Sequence, residues 1–310
     1  MKRFLLSLLL ASLLYTAGAQ DYHLQFSQAI ENGDSVAQRT TLQEWAKFNP
    51  TGADYYIDWF NYYVNQSLSQ TIILTADESE VASESLSLTD STGDIAGFLG
   101  MGIPTVEAHK ADSALMWIDK GLKQHPYRLD MWMGRTHFLG MVMRWDDFEQ
   151  SIEELIDRYA AYKPKQWTYP GVGLFDRDLF SQAVLEYQRT LIEETDMSAM
   201  EQSDSLMLQR MANIAQRMLK HYPKDIYQLN MMAVYYNALG NNQECLRYLL
   251  KAEKQDRRDC TVLSNIANIY HNLGNYKQER KYLKKVLKYG DEEEQEYARY
   301  FLQSLDEQGL

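Results

Sequence analysis

Asn265, Asn268 and Asn272 fall three and four residues apart, so on a helix their amides share one stripe. Asp58, Asn61 and Asn65 repeat that spacing near the N-terminus, Asn230 and Asn237 stand seven apart, and His271 lies beside the first stripe. An asparagine side chain carries both a donor and an acceptor. A row of them therefore suits hydrogen bonding to an extended peptide backbone, whatever that peptide's side chains. This is recognition chemistry rather than bond-making chemistry. The sequence contains no G-x-S-x-G, no H-E-x-x-H and no G-x-x-x-x-G-K-S/T. Its six histidines are scattered, and no two of them share metal-ligand spacing with a carboxylate pair. The chain thus reads as a non-enzyme that needs neither cofactor nor metal.

Aromatic side chains are abundant, with 22 Tyr, 6 Trp and 10 Phe, and at helical spacing most of them belong to a core. Tyr22, Tyr62, Tyr227 and Tyr235 are ones that the core pattern does not require. With Trp167 and the loop around it they define the alternative reading, a binder of glycan or cell-envelope ligands. On that reading Trp167 responds to an added oligosaccharide.

Compartment and charge narrow the partner. Lys2 and Arg3, the apolar run Phe4 to Leu14, and the small residues Ala17, Gly18 and Ala19 before Gln20 have the layout of a signal peptide over residues 1–19. The apolar run is about half of what a bilayer-spanning helix needs, so cleavage rather than anchoring is expected. The expected product is exported, periplasmic or secreted, with no transmembrane segment in the mature chain. Residues 20–241 carry 17 basic and 31 acidic side chains, whereas residues 242–290 carry 11 basic and 5 acidic. An acidic exported chain is a poor nucleic-acid binder, so the expected partner is a protein or peptide. Cys245 and Cys260 fall on neighbouring antiparallel helices, separated by about 15 Å at the helical rise per residue, so they are expected as thiols.

The elements that must carry the amides repeat with a period of 34 residues. Leu229, Met232, Ala233, Tyr236, Leu239 and Gly240 return as Leu263, Ile266, Ala267, Tyr270, Leu273 and Gly274. Asn241, Tyr248, Leu249, Lys251 and Lys254 return as Asn275, Tyr282, Leu283, Lys285 and Lys288. A large residue, an apolar one three on, a small one beside it and an aromatic three further resembles the tetratricopeptide repeat. That resemblance implies an all-α fold, a right-handed α-solenoid of about six helix hairpins with a C-terminal capping helix. It also implies that the first helix of each pair lines a concave face, which places the amide stripes in a groove of a non-enzymatic scaffold. Family members that clamp a terminal carboxylate set basic residues on those same helices. Here the basic residues lie mostly on second helices, a departure from that pattern.

The expected layout follows. Residues 20–225 hold degenerate repeats interrupted near 75–105 and 163–177, residues 226–290 hold two well-formed repeats, and residues 291–310 form the cap. Lysine-then-proline punctuation at Pro50, Pro126 and Pro223 keeps a common phase, since proline cannot continue a helix. The acidic half of the first insertion, through Asp94, is expected not to order, because it has too little apolar surface to bury. Asp291, with Glu294 three later, has capping-box spacing for the last helix.

Overall fold

The computed structural model describes residues 17–69, 72–81, 85–102, 105–161, 167–170, 176–196 and 201–310. Most of the expected signal peptide and most of the 163–177 insertion lie outside the described residues. The chain divides into two units, the first comprising residues 1–145 and 165–174 and the second residues 146–164 and 175–310.

Helices α1 (Ala17–Glu31), α2 (Ser35–Ala46), α3 (Ala53–Ser67), α4 (Ala108–Gln124) and α5 (Leu129–Met141) build the first unit. Their apolar stripes meet in a core that includes Phe26, Leu42, Trp59, Phe60, Ile118 and Phe138. Aromatic rings form much of it. Trp59 and Trp117 stack 5.0 Å apart at 7°, joining α3 to α4, and Phe60 meets Phe138 edge-on at 5.6 Å. Trp167 also belongs to this core. It is buried, lies edge-on to Tyr127 at 5.8 Å, and is held there by backbone bonds between Thr168 and both Tyr127 and Leu129. A ring so placed offers no open face for a sugar to stack on.

The first insertion contradicts the expectation of disorder. Strands β1 (Leu68–Ser69) and β5 (Thr105–Val106) pair where α3 ends and α4 begins. Beyond them β2 (Ile72–Thr75), β3 (Leu86–Thr89) and β4 (Ile95–Met101) form an antiparallel sheet in the order β2-β4-β3. The glycine-rich half supplies the central strand, and the acidic half supplies β3, whose Leu-Ser-Leu-Thr alternates with the strand period of two. Cross-strand pairing orders the described residues of the segment without a large buried core, the possibility that composition alone did not show.

In the second unit α6 (Trp145–Ala161) opens a series of successive hairpins: α7 (Arg177–Glu193) with α8 (Gln202–His221), α9 (Ile226–Ala238) with α10 (Asn242–Glu253), and α11 (Cys260–Asn272) with α12 (Tyr276–Tyr289). Helix α13 (Glu292–Glu307) covers α12. Its capping box closes as the spacing indicated: the Asp291 amide donates to Glu294 and the Glu294 amide to Asp291, both at 2.9 Å. The local chemistry of the 34-residue period is visible twice. Asp225 and Asp259 cap α9 and α11, and Asn241 and Asn275 cap α10 and α12. Gly240 and Gly274 adopt φ of 68° and 67°, the left-handed conformation that ends a helix and that glycine enters without steric cost. Ala233 and Ala267 are both buried, where a larger side chain would push adjacent helices apart.

Close approach also sets the α3–α4 pairing. A β-carbon added at Gly121 would lie 2.7 Å from Tyr56 Cβ and 2.2 Å from the end of Met131. An alanine gains about 1 kcal/mol over glycine in a helix interior, but overpacking costs about 1–3 kcal/mol, and the root of Tyr56 cannot swing away. At Gly134 the nearest side-chain atom, on Phe60, would be 3.7 Å away, so only the helical gain remains. Gly121→Ala is therefore expected to lower the urea midpoint and Gly134→Ala to raise it. Two midpoints moving together would refute this account of the contact.

Candidate functional site

Helices α9 and α11 bring five of the expected amides into one neighbourhood. Asn265 Nδ2 donates to Asn230 Oδ1 at 3.0 Å, joining side chains 35 residues apart in sequence. Asn237, Asn265 and Asn268 border a cavity of about 50 Å³ with Val234, Ile269 and Ala233, and with Cys245 and Leu249 from α10. That volume holds a water molecule or two at about 30 Å³ each. It is a notch rather than a substrate chamber. Asn237, Asn268 and Asn272 are exposed, so their side-chain amides are open to solvent. Whichever way the bridged amides of Asn230 and Asn265 are turned, at least one donor and one acceptor remain for a ligand.

Stacked tyrosines fix these helices against their partners. Tyr236 lies over Tyr248 at 5.6 Å and Tyr270 over Tyr282 at 5.7 Å, so each first helix is keyed to its second helix by the same ring pair. The Asn237 and Asn268 amides therefore stand on positioned backbone rather than on loops. Cys245 offers no nucleophile to the notch, because burial pushes its thiol up to about 11. Cys260 is a second buried thiol, likewise raised to about 11 mainly by burial.

His271 is engaged by the next helix. Its Nδ1 lies 3.1 Å from both carboxylate oxygens of Glu279, which is buried on α12. The pair ties α11 to α12 and supplies a structural reason for a histidine at that position. Val234 and Ile269 add apolar lining to the notch. Val234 follows Asn230 by four residues, so the helical spacing that selected the asparagines also pointed to it.

In the first unit the expected stripe does not survive intact. Asp58 is 2 % exposed, and His23 Nδ1 of α1 lies 2.8 Å from its carboxylate. A buried carboxylate bonded within the protein is not open to a ligand, so Asp58 is removed from the candidate set. Asn61 is half-buried and Asn65 exposed on the same helix. The His23–Asp58 contact joins residues 35 apart on separate helices, and neither residue type nor local spacing announced it.

Residues 261–289 match the family described as the tetratricopeptide repeat. The chain carries a tetratricopeptide repeat. The matched stretch runs through α11 and α12, and the tetratricopeptide period of 34 residues carries the same register back to α9 and α10. Among solved structures, a thermophilic tetratricopeptide protein from Thermus thermophilus is 12% identical with a TM-score of 0.41, covering 63% of this chain and 92% of that one. A tetratricopeptide repeat protein from Parabacteroides merdae is 11% identical with a TM-score of 0.37, covering 88% and 80%. PilW, a widely conserved type IV pilus biogenesis factor, is 11% identical with a TM-score of 0.39, covering 91% and 99%. No curated protein matches the sequence.

The His23–Asp58 pair makes a pH prediction. The hydrogen bond from His23 raises its pKa above the ordinary 6.5 against an opposing effect of burial, with Asp58 and Asp54 adding smaller charge attractions. Burial lifts Asp58 to about 6 despite its bond to His23. Both groups hold protons more tightly folded than unfolded. Their stability contributions are thus fully present below the unfolded values and lost as pH rises through the folded ones, near 6 for Asp58 and above 6.5 for His23. Titration by nuclear magnetic resonance is expected to place His23 above 6.5 in the wild type and below it in Asp58→Asn, where burial dominates. A midpoint indifferent to that substitution would remove the pairing from solution.

Proposed function

We propose that this protein is an exported, non-enzymatic tetratricopeptide scaffold that holds an extended segment of a partner protein against the amide face of α9 and α11. The amide bridge between Asn265 and Asn230 carries the reading. It links consecutive repeats on the side where Asn237, Asn268 and Asn272 are exposed, and a peptide backbone offers the matching alternation of donors and acceptors. Asn61 and Asn65 form a second, shorter amide pair in the first unit and are assigned the same role there. In tetratricopeptide architecture the first helices of successive hairpins share the concave side, which is the face assigned here.

Export is part of the proposal. No helix among the described residues is long and apolar enough to cross a membrane. The basic start and apolar run at the N-terminus fit a leader removed near Gln20.

Crosslinking in the native cells, followed by mass spectrometry, is expected to recover a partner protein with the wild type. The same partner should be lost with Asn265→Ala combined with Asn268→Ala while the thermal midpoint falls by only a few degrees, the cost of one half-buried hydrogen bond at about 0.5–1.5 kcal/mol. Undiminished capture would remove the amides from the interface, and a collapsed midpoint would make them structural. N-terminal sequencing of protein isolated from outside the cytoplasm is expected to begin near Gln20. A cytoplasmic chain that retains Met1 would end the export assignment.

A further inference from the structure

The sheet inserted between α3 and α4 leaves one face uncovered. Register sets Ile72 opposite Met101, Leu74 opposite Leu99, Leu86 opposite Leu99 and Leu88 opposite Gly97, so these side chains share that face. Ile72 is 73%, Leu74 69%, Leu86 63% and Leu99 37% exposed. Single exposed aliphatic residues are ordinary on protein surfaces, but a contiguous apolar face spanning three strands marks an interaction surface. The outer edges of β2 and β3 are unpaired among the described residues and carry no lysine, the residue that commonly guards such edges.

Charge selects the occupant. Residues 68–106 hold six carboxylates (Asp77, Glu78, Glu80, Glu84, Asp90 and Asp94) and no lysine or arginine. A second copy would bring only further carboxylates from this segment and no lysine or arginine to pair with Asp77, Glu78, Glu80, Asp90 and Asp94. An anionic bilayer would be repelled for the same reason, at about 1 kcal/mol for each charge near its surface. We infer that this sheet is a second docking surface, and that it receives an amphipathic, cationic segment of a partner protein, with apolar side chains over Leu74 and Leu99 and lysine or arginine toward the acidic turns. The surface belongs to the first unit and does not depend on the amide face of α9 and α11.

The test uses the full chain and three synthetic peptides of equal length, alternating Leu with Lys, Leu with Glu, and Ser with Lys. Calorimetry is expected to show binding of the Leu-Lys peptide, at least about tenfold weaker binding of the Ser-Lys peptide, and none of the Leu-Glu peptide. Leu74→Ser combined with Leu99→Ser should weaken the Leu-Lys peptide by a similar factor. Both side chains are solvent-facing, and circular dichroism checks that the variant stays folded. Equal affinity for the Ser-Lys peptide would reduce the effect to bare charge and overturn the proposal. So would binding of the Leu-Glu peptide. Sedimentation that reveals a wild-type dimer abolished by the double substitution would assign the face to a second copy instead. Adsorption to phosphatidylglycerol vesicles, lost in the same variant, would assign it to lipid. The comparison of peptides on the wild type decides the matter even should the variant misfold.

Discussion

No helix hairpin in this chain can bury its apolar stripe by itself, and the rest of the structure follows from that constraint. A hairpin presents apolar residues on two sides, and each side needs a neighbour of the right depth. In the second unit the neighbours are successive hairpins, with Leu263, Ile266 and Leu283 sharing one core with Leu229 and Leu249 of the preceding repeat. The series ends where α13 contributes Ala298 and Leu305 to that core. Small residues at Ala233 and Ala267 set the approach distance between helices. In the first unit Gly121 has that role, allowing the Tyr56 backbone region to come close to α4.

Because packing consumes one side of each first helix, the other side is left to polar residues, and there the two units diverge. On α9 and α11 the polar side keeps its amides, which bond one another across the repeat and retain capacity for a ligand. On α3 the equivalent spacing includes Asp58, which α1 covers with His23. Glu279 and His271 make a similar contact in the second unit. In both cases a buried carboxylate is kept by a histidine from an adjacent helix, in line with the high cost of leaving such a group unpaired. Sequence position alone therefore does not separate a solvent-open polar residue from one that clamps helices.

The insertion shows how a repeat hairpin accommodates foreign structure. Strands β1 and β5 pair at the hinge between α3 and α4, and Glu107 N donates to Ser67 O at 2.8 Å. The two helices thereby remain a packed hairpin although 40 residues separate Ser67 from Ala108. Loop-closure entropy grows only slowly with length, so an ordered sheet can be carried there at modest cost. The same sheet gives the chain a surface unlike its helices, apolar on one face and bordered by carboxylates.

The sequence by itself determined the helical repeat. The 34-residue recurrence of large, small, aromatic and glycine positions acts locally, through capping, left-handed glycine and 3.6-residue periodicity, and each of these is written in neighbouring residues. It also set Asn265 and Asn268 on one stripe of α11, and Asn230 with Asn237 on one stripe of α9. Tertiary structure alone decided that Trp167 is core, that His23 occupies Asp58, that Asn230 meets Asn265, and that the acidic stretch after Thr75 pairs as strands. Those outcomes depend on contacts between residues tens of positions apart. Their energies come from burial and pairing with a partner that no local pattern names, so the sequence shows which groups are available while the fold chooses which of them remain free.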